Sequence, residues 1–432
     1  MNVPALKNLL NKLPLSRKFT IDTAWNVTCF AIVGSSGILV NIIIAKYYGA
    51  GILGVFNQVY AIFLLLSQFS VAGIHLAVLK FVSQFAGERN KTDNIISAAL
   101  YITLISSLLV LSATFLLKDF AAQLLDSPRV STGILFGLPG LFSWALNKVY
   151  LAFHNASRRI IAYSVLNALR FIFLVIYLVL VTALDLPGEM LPVIISLSEI
   201  TLLFICAAYS SRYMTFSYNP EVKGWFKELS LFGFKAAPGH ILLDINTRVD
   251  IIMLGIFCSD RIVGVYSFAA MLADGYNNFP ILFRTNINPM ITHYRYSRGA
   301  EAFQGWIIKG VRMGYSLFIP MGIAVVFLFP VIVGIFRLGA GMGEGWSVFA
   351  LLIAGISFSA GYIPFQMILS QTGFPSYQSV YIFFAFITNV LFNFLLIPVW
   401  SMMGAALATA LSAVVQVIYL KLLVARKLNI KI

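Results

Sequence analysis

Windows of about twenty apolar residues recur about twelve times along this chain, and a run of that length suits a helix that crosses a bilayer. They fall at roughly 24–45, 54–79, 95–117, 132–153, 161–183 and 190–209. After a polar stretch over 210–228 they resume at roughly 232–257, 263–292, 310–336, 347–370, 377–398 and 403–424. Only 11% of the 432 residues are charged and 60% are hydrophobic, against about 25% charged in an average soluble domain. The expected fold is therefore an all-α polytopic membrane protein of about twelve transmembrane helices in two six-helix lobes. The divisions read as an amphipathic cytoplasmic lead-in over 1–22, an N-lobe over 23–209, a cytoplasmic linker over 210–228 and a C-lobe over 229–432. Pro238, Pro280, Pro320, Pro330 and Pro364 mark expected kinks.

The net charge of +14 would suggest nucleic acid in a soluble protein. Here the basic residues sit in short loops, where they set orientation and meet lipid headgroups, so no nucleic-acid partner is expected. Alternate loops carry roughly 22 against 5 Lys and Arg, which puts both termini in the cytoplasm. The poorer side has only Lys46, Lys118, Arg129, Arg261 and Arg337, while Lys148, Arg158 and Arg159 count on the richer side. The first apolar span is long and lacks a small-residue cleavage site, so no cleavable signal peptide is expected.

An enzyme is not expected. His75, His154, His240 and His293 are scattered, no paired carboxylates share a loop, and there is no GxxxxGK[ST] phosphate loop to bind a nucleotide. Cys29, Cys206 and Cys258 have no metal-ligand spacing and read as small apolar fillers. No metal and no cofactor are expected, and ATP is not the expected direct fuel.

A short repeat relates the halves. Ile52-Leu-Gly-Val-Phe56 opens the second span, and Ile262-Val-Gly-Val-Tyr266 opens the eighth, about 210 residues later. Six spans per half is an even number, so the halves are parallel repeats about an axis along the membrane normal. Two such lobes enclose a cleft that can open to either side.

Charged residues within the spans are the candidate chemistry, because each costs about 3 kcal/mol at bilayer depth unless paired or hydrated. The seventh window carries Asp244, Asn246, Arg248 and Asp250. On a continuous helix Asp244 and Arg248 share one face and Asn246 and Asp250 another. Asp274, Asn277, Arg284 and Asn288 form a stripe along the eighth, Arg170 lies in the fifth, Glu199 in the sixth and His75 in the second. Arg170, Arg248 and Arg284, with Asn277 and His75, are the expected substrate-binding set, since a guanidinium's planar fork fits a phosphate. Glu199, Asp244, Asp250 and Asp274 are the expected proton or Na⁺ carriers. The competing reading of the paired charges is a helix-to-helix clamp. Gln68, Asn389 and Asn393 read as interhelical hydrogen bonds.

The turn from Tyr47 through Gly49 and Gly51 to Phe56 resembles the Wzx-type polysaccharide flippases, in the superfamily that also holds the MATE exporters. So do Asn246-x-Arg248-x-Asp250-Ile-Ile-Met-Leu-Gly255 and the run Val263 to Ala270. Gly361-x-x-x-Phe365-Gln366 and Met403 to Thr409 are similar to the family's late spans. The resemblance implies alternating access by two lobes, a central cationic cavity, and ion-gradient coupling. The implied cargo is an undecaprenyl-diphosphate-linked oligosaccharide, carried across a bacterial inner membrane toward surface polysaccharide such as O-antigen and lipopolysaccharide. Whether a polysaccharide polymerase or a chain-length regulator joins it stays open. The alternative is a cation-coupled small-molecule exporter. The acidic residue that many MATE exporters carry in the first span is missing here, which argues against that alternative.

Overall fold

The computed structural model describes residues 17–432 apart from Arg298. The lead-in over 1–22 therefore lies outside the described residues as far as residue 16. From Arg17 the chain is helical, and no strand occurs among the described residues.

The first half comprises α1 (Arg17–Tyr47), α2 (Gly49–Val71), α3 (Ile74–Gln84), α4 (Arg89–Leu124), α5 (Pro128–Ala156), α6 (Ile160–Ala183) and α7 (Val193–Ser210). The second comprises α8 (Pro220–Asn246), α9 (Val249–Phe257), α10 (Asp260–Ser297), α11 (Ala300–Ile335), α12 (Gly345–Ser359), the short α13 (Ile368–Gln371) and α14 (Pro375–Leu428). Eight helices are long and apolar enough to cross a membrane by themselves. At 1.5 Å per residue α14 would run about 80 Å, far beyond a hydrocarbon core of about 30 Å. It does not run straight: Ser401 has φ 52° and ψ −131°, and an added Cβ on Gly404 would strike the Leu396 backbone. The chain doubles back there, so α14 is a hairpin of two spans. With α1, the α8–α9 pair and α10, the passes reach the expected twelve. Leu109 and Leu116 on α4, and Phe327 and Ile335 on α11, are exposed large apolar residues that suit a lipid-facing surface.

Two backbone breaks matter for the site. Ala72 (φ 47°) and Gly73 (φ 74°) separate α2 from α3, and α8 crosses at that break. A Cβ on Gly73 or on Gly233 would collide with the other segment's backbone, so only glycine allows the approach. Thr247 and Arg248 separate α8 from α9. Linker residues 220–228 already belong to α8, whose Trp225 packs on Phe81 and Phe85 of α3 (5.5 and 5.7 Å between centroids).

The halves meet most extensively where α2 crosses α10. The crossing is made by the repeat itself. A Cβ on Gly54 would overlap the Asp260 carbonyl and one on Gly264 the Ala50 carbonyl, while each would lie 2.9 Å from the other glycine's nitrogen. Residues 50 and 54 thus meet 260 and 264 reciprocally, the signature of two related halves packed about a pseudo-twofold axis. Asp260 reinforces the contact by accepting hydrogen bonds from Gln58 Nε2 (2.9 Å) and Ser127 Oγ (2.8 Å) of the first half. The halves are closed at this end.

Candidate substrate and coupling site

From the first half, α6 supplies Arg170 and α7 supplies Glu199. Arg170 Nε lies 2.6 Å from Glu199 Oε1, with side chains only 12% and 3% accessible. Asn147 of α5 donates through Nδ2 to both Glu199 Oε2 and the Glu199 carbonyl, each at 2.9 Å. Three helices are therefore tied through one carboxylate. Trp144, one turn before Lys148, lies beneath two cations: Lys148 Nζ is 4.4 Å and the Arg170 guanidinium 5.6 Å from its ring centroid. Tyr60 of α2 sits within electrostatic reach of both Arg170 and Arg248. It continues a stacked row with Phe56 and Phe63.

From the second half, Arg248 stands at the α8–α9 break with its Nη1 3.6 Å from Asp274 Oδ2 of α10. The continuous helix expected over 243–257 is broken at Thr247 and Arg248, so the expected Asp244–Arg248 face does not form as a pair. Once the chain turns at Thr247, the i,i+4 relation no longer sets direction. Arg248 pairs across to Asp274, and exposed Asp244 lies within reach of Lys148 instead. Asp250 accepts a 2.5 Å hydrogen bond from Tyr266 Oη. Asn246 Oδ1 accepts from Asn389 Nδ2 at 3.1 Å, the interhelical role expected of Asn389, whereas Asn393 Nδ2 donates to Asn389 within the same helix. The Asp274 side chain is 55% accessible although it faces Arg248 from mid-helix. It lines open space.

Arg170, Arg248, Lys148, Glu199, Asp244 and Asp274 thus form one constellation spanning both halves. Arg284 is apart from it: its Nη1 donates to Gln366 Oε1 (3.0 Å), on the α12–α13 connection. Asn277 lies one turn beyond Asp274 and is half-buried. His75 holds the second position of α3, beside the Gly73–Gly233 crossing, and is half-buried. The stripe on α10 is real, but it serves two different neighbourhoods.

Lys148 is the candidate site residue that loop counting missed. Counted among the loop charges that set orientation, it instead lies well inside α5, over Trp144. Its place inside the apolar window 132–153 was the available signal. Trp144, Asn147 and Tyr60 carried no signal of their own, since aromatic and amide residues in spans usually pack or bond between helices.

Solved structures with the same fold are membrane transporters. An inward-facing multidrug resistance MATE family transporter of the MOP superfamily matches with TM-score 0.79 at 12% identity, over 94% of this chain and 98% of its own. The lipid II flippase MurJ in an inward closed conformation matches with TM-score 0.74 at 15% identity, over 92% of this chain and 87% of its own. An outward-facing MATE family transporter scores 0.57 at 13% identity, over 95% and 94%. No protein of curated function is similar enough in sequence to match. The family of polysaccharide biosynthesis proteins matches over residues 22–294, more than half of the chain, and this polytopic membrane protein belongs to that family.

Proposed function

We propose that the chain is a Wzx-type flippase that moves undecaprenyl-diphosphate-linked oligosaccharide repeat units from the cytoplasmic to the periplasmic leaflet of a bacterial inner membrane. Residues 23–209 and 229–432 act as the two lobes, with both termini cytoplasmic. The observation that carries this reading is that Arg170 and Lys148 of the first half, both at Trp144, and Arg248 of the second, paired to accessible Asp274, all act on the region around Tyr60 and Lys148. Three cations at that depth suit a diphosphate, which can take a forked pair of hydrogen bonds from each guanidinium.

Each cation has a carboxylate neighbour, and that suggests how cargo couples to an ion gradient. A diphosphate that takes Arg170 and Arg248 displaces Glu199 and Asp274. Each freed carboxylate then lacks its counterion, a cost set against cargo binding that is largest at buried Glu199. Restoring the ion pairs releases the cargo on the far side, and a proton or Na⁺ that then neutralises Glu199 or Asp274 returns inward in exchange for it. Arg284, Asn277 and His75 line the remaining path for the sugar and lipid. Asp250, already bonded to Tyr266, serves as a structural anchor more than as a carrier.

The test is sidedness of the lipid-linked oligosaccharide in cells depleted of the protein. Repeat units should accumulate on the cytoplasmic leaflet, relieved by wild type but not by Arg248→Glu. Normal distribution across both leaflets without the protein would sink the reading and make small-molecule export the next hypothesis.

A further inference from the structure

Outside the interlobe space, a groove of about 600 Å³ runs between the start of α6 and the end of α7. Arg158, Arg159 and the first turn of α6 line one end. Val165, Leu169 and Ile205 line the rest, with Tyr209 and Tyr213 along its wall. The volume is in the range of small-molecule sites, but the lining is polar at one end only, as for a lipid with a charged head.

The head end is built. The Arg159 guanidinium stands over the Tyr213 ring, 3.5 Å from its centroid. Its Nη1 is buried without a hydrogen-bond partner, a costly state for a charged donor that an anionic oxygen would relieve. Arg158 lines the same end, and Arg212 adds its charge beside Tyr209. Among the described residues none of the three guanidiniums has a carboxylate within ion-pair distance. The Arg159 side chain does not cap α6, so its first N–H groups are open to the same anion.

We infer that this groove is a second binding site for the cargo lipid, taking the diphosphate at Arg158 and Arg159 and the first isoprene units along Val165, Leu169 and Ile205. This rests on the lipid-diphosphate reading given above. Charge complementarity selects the occupant: the two unneutralised guanidiniums that line the groove, Arg158 and Arg159, match a diphosphate better than the single charge of a phosphodiester headgroup.

Native mass spectrometry of the full-length protein in detergent, loaded with undecaprenyl diphosphate, tests it. Wild type should carry up to two copies, one in the interlobe space and one in the groove. The Arg158→Gln/Arg159→Gln double variant should lose one copy, its groove affinity falling about tenfold or more. Leu169→Trp, which fills the apolar end and leaves the charges in place, should lose the same copy. Arg170→Gln should lose only the other. Two copies retained by both groove variants would overturn the assignment. So would displacement of the groove copy by equimolar phosphatidylglycerol, which would make this an ordinary anionic-lipid contact. The cellular sidedness assay does not depend on the groove, so the flippase reading and the groove assignment can fail separately.

Discussion

Glu199→Met would remove one partner of a pair whose side chains are 12% and 3% accessible. Arg170 would then be a buried charge without its counterion, at a cost of about 3–5 kcal/mol. Asn147 would lose its acceptor Oε2, adding about 1–3 kcal/mol for an unmet buried donor, less whatever the Glu199 carbonyl still satisfies. Arg170→Met should cost a similar amount, because the carboxylate is then the stranded group. The double variant Arg170→Met/Glu199→Met strands neither charge, and apolar replacement of a buried pair is often neutral. With the wild type, the three variants form a double-mutant cycle; two losses of at least about 3 kcal/mol against a near-neutral double variant make the expected coupling about 6 kcal/mol or more, a factor of about 10⁴ in the unfolding equilibrium. Reversible unfolding of the purified protein in mixed detergent micelles reads it. Losses that simply add would refute the pairing argument. Surface polysaccharide in cells then separates roles: the stable double variant should export nothing if Arg170 holds the diphosphate. A double variant that is both stable and fully active would show that the pair only clamps α5, α6 and α7 together.

Gly54→Val should force α2 and α10 apart, because the new side chain meets backbone carbonyl rather than a movable side chain. Cys258 adjoins this crossing, while Cys29 and Cys206 are buried, so its labelling by an impermeant maleimide should rise several-fold. Gly51→Val, where an added Cβ meets nothing within 4 Å, should leave labelling unchanged, and equal labelling of the two would refute closure at Gly54. Lys148→Met should stop export of surface polysaccharide without lowering the amount of inserted protein. Lys427→Met, at the far end of α14 over Tyr377, should do neither, and normal export by Lys148→Met would remove that lysine from the site.

The architecture was legible because a bilayer leaves the chain few options. A run of twenty apolar residues must satisfy its own backbone hydrogen bonds, so windows convert almost directly into helices. The spacing between Gly54 and Gly264 was legible too, and its meaning is steric: each half keeps a glycine where the other half's backbone presses closest. The break at Thr247 and Arg248 was not legible. Neither residue is a strong helix breaker, and the fold there depends on Asn246 meeting Asn389 and Arg248 meeting Asp274, contacts far apart in sequence.

The charged residues show where reading a single chain stops. Their presence in spans could be seen, and with it the inference that water or partners must accompany them. Pairing could not be seen, because Arg170 reaches Glu199 across two helices and Arg248 reaches Asp274 across a turn and a helix. A local rule such as i,i+4 proposes Asp244 for Arg248 only while the helix stays unbroken. At Lys148 the apolar window 132–153 already carried a signal, but a lysine near a span's end is usually a loop charge, and the packing of Trp144 beneath it marks this one as interior. Sequence periodicity therefore fixes which face a charge occupies, and tertiary contact decides what neutralises it. In a carrier that second decision is the functional one, since a cation already matched by a carboxylate can exchange that partner for an anionic cargo, whereas an unmatched one can only hold it.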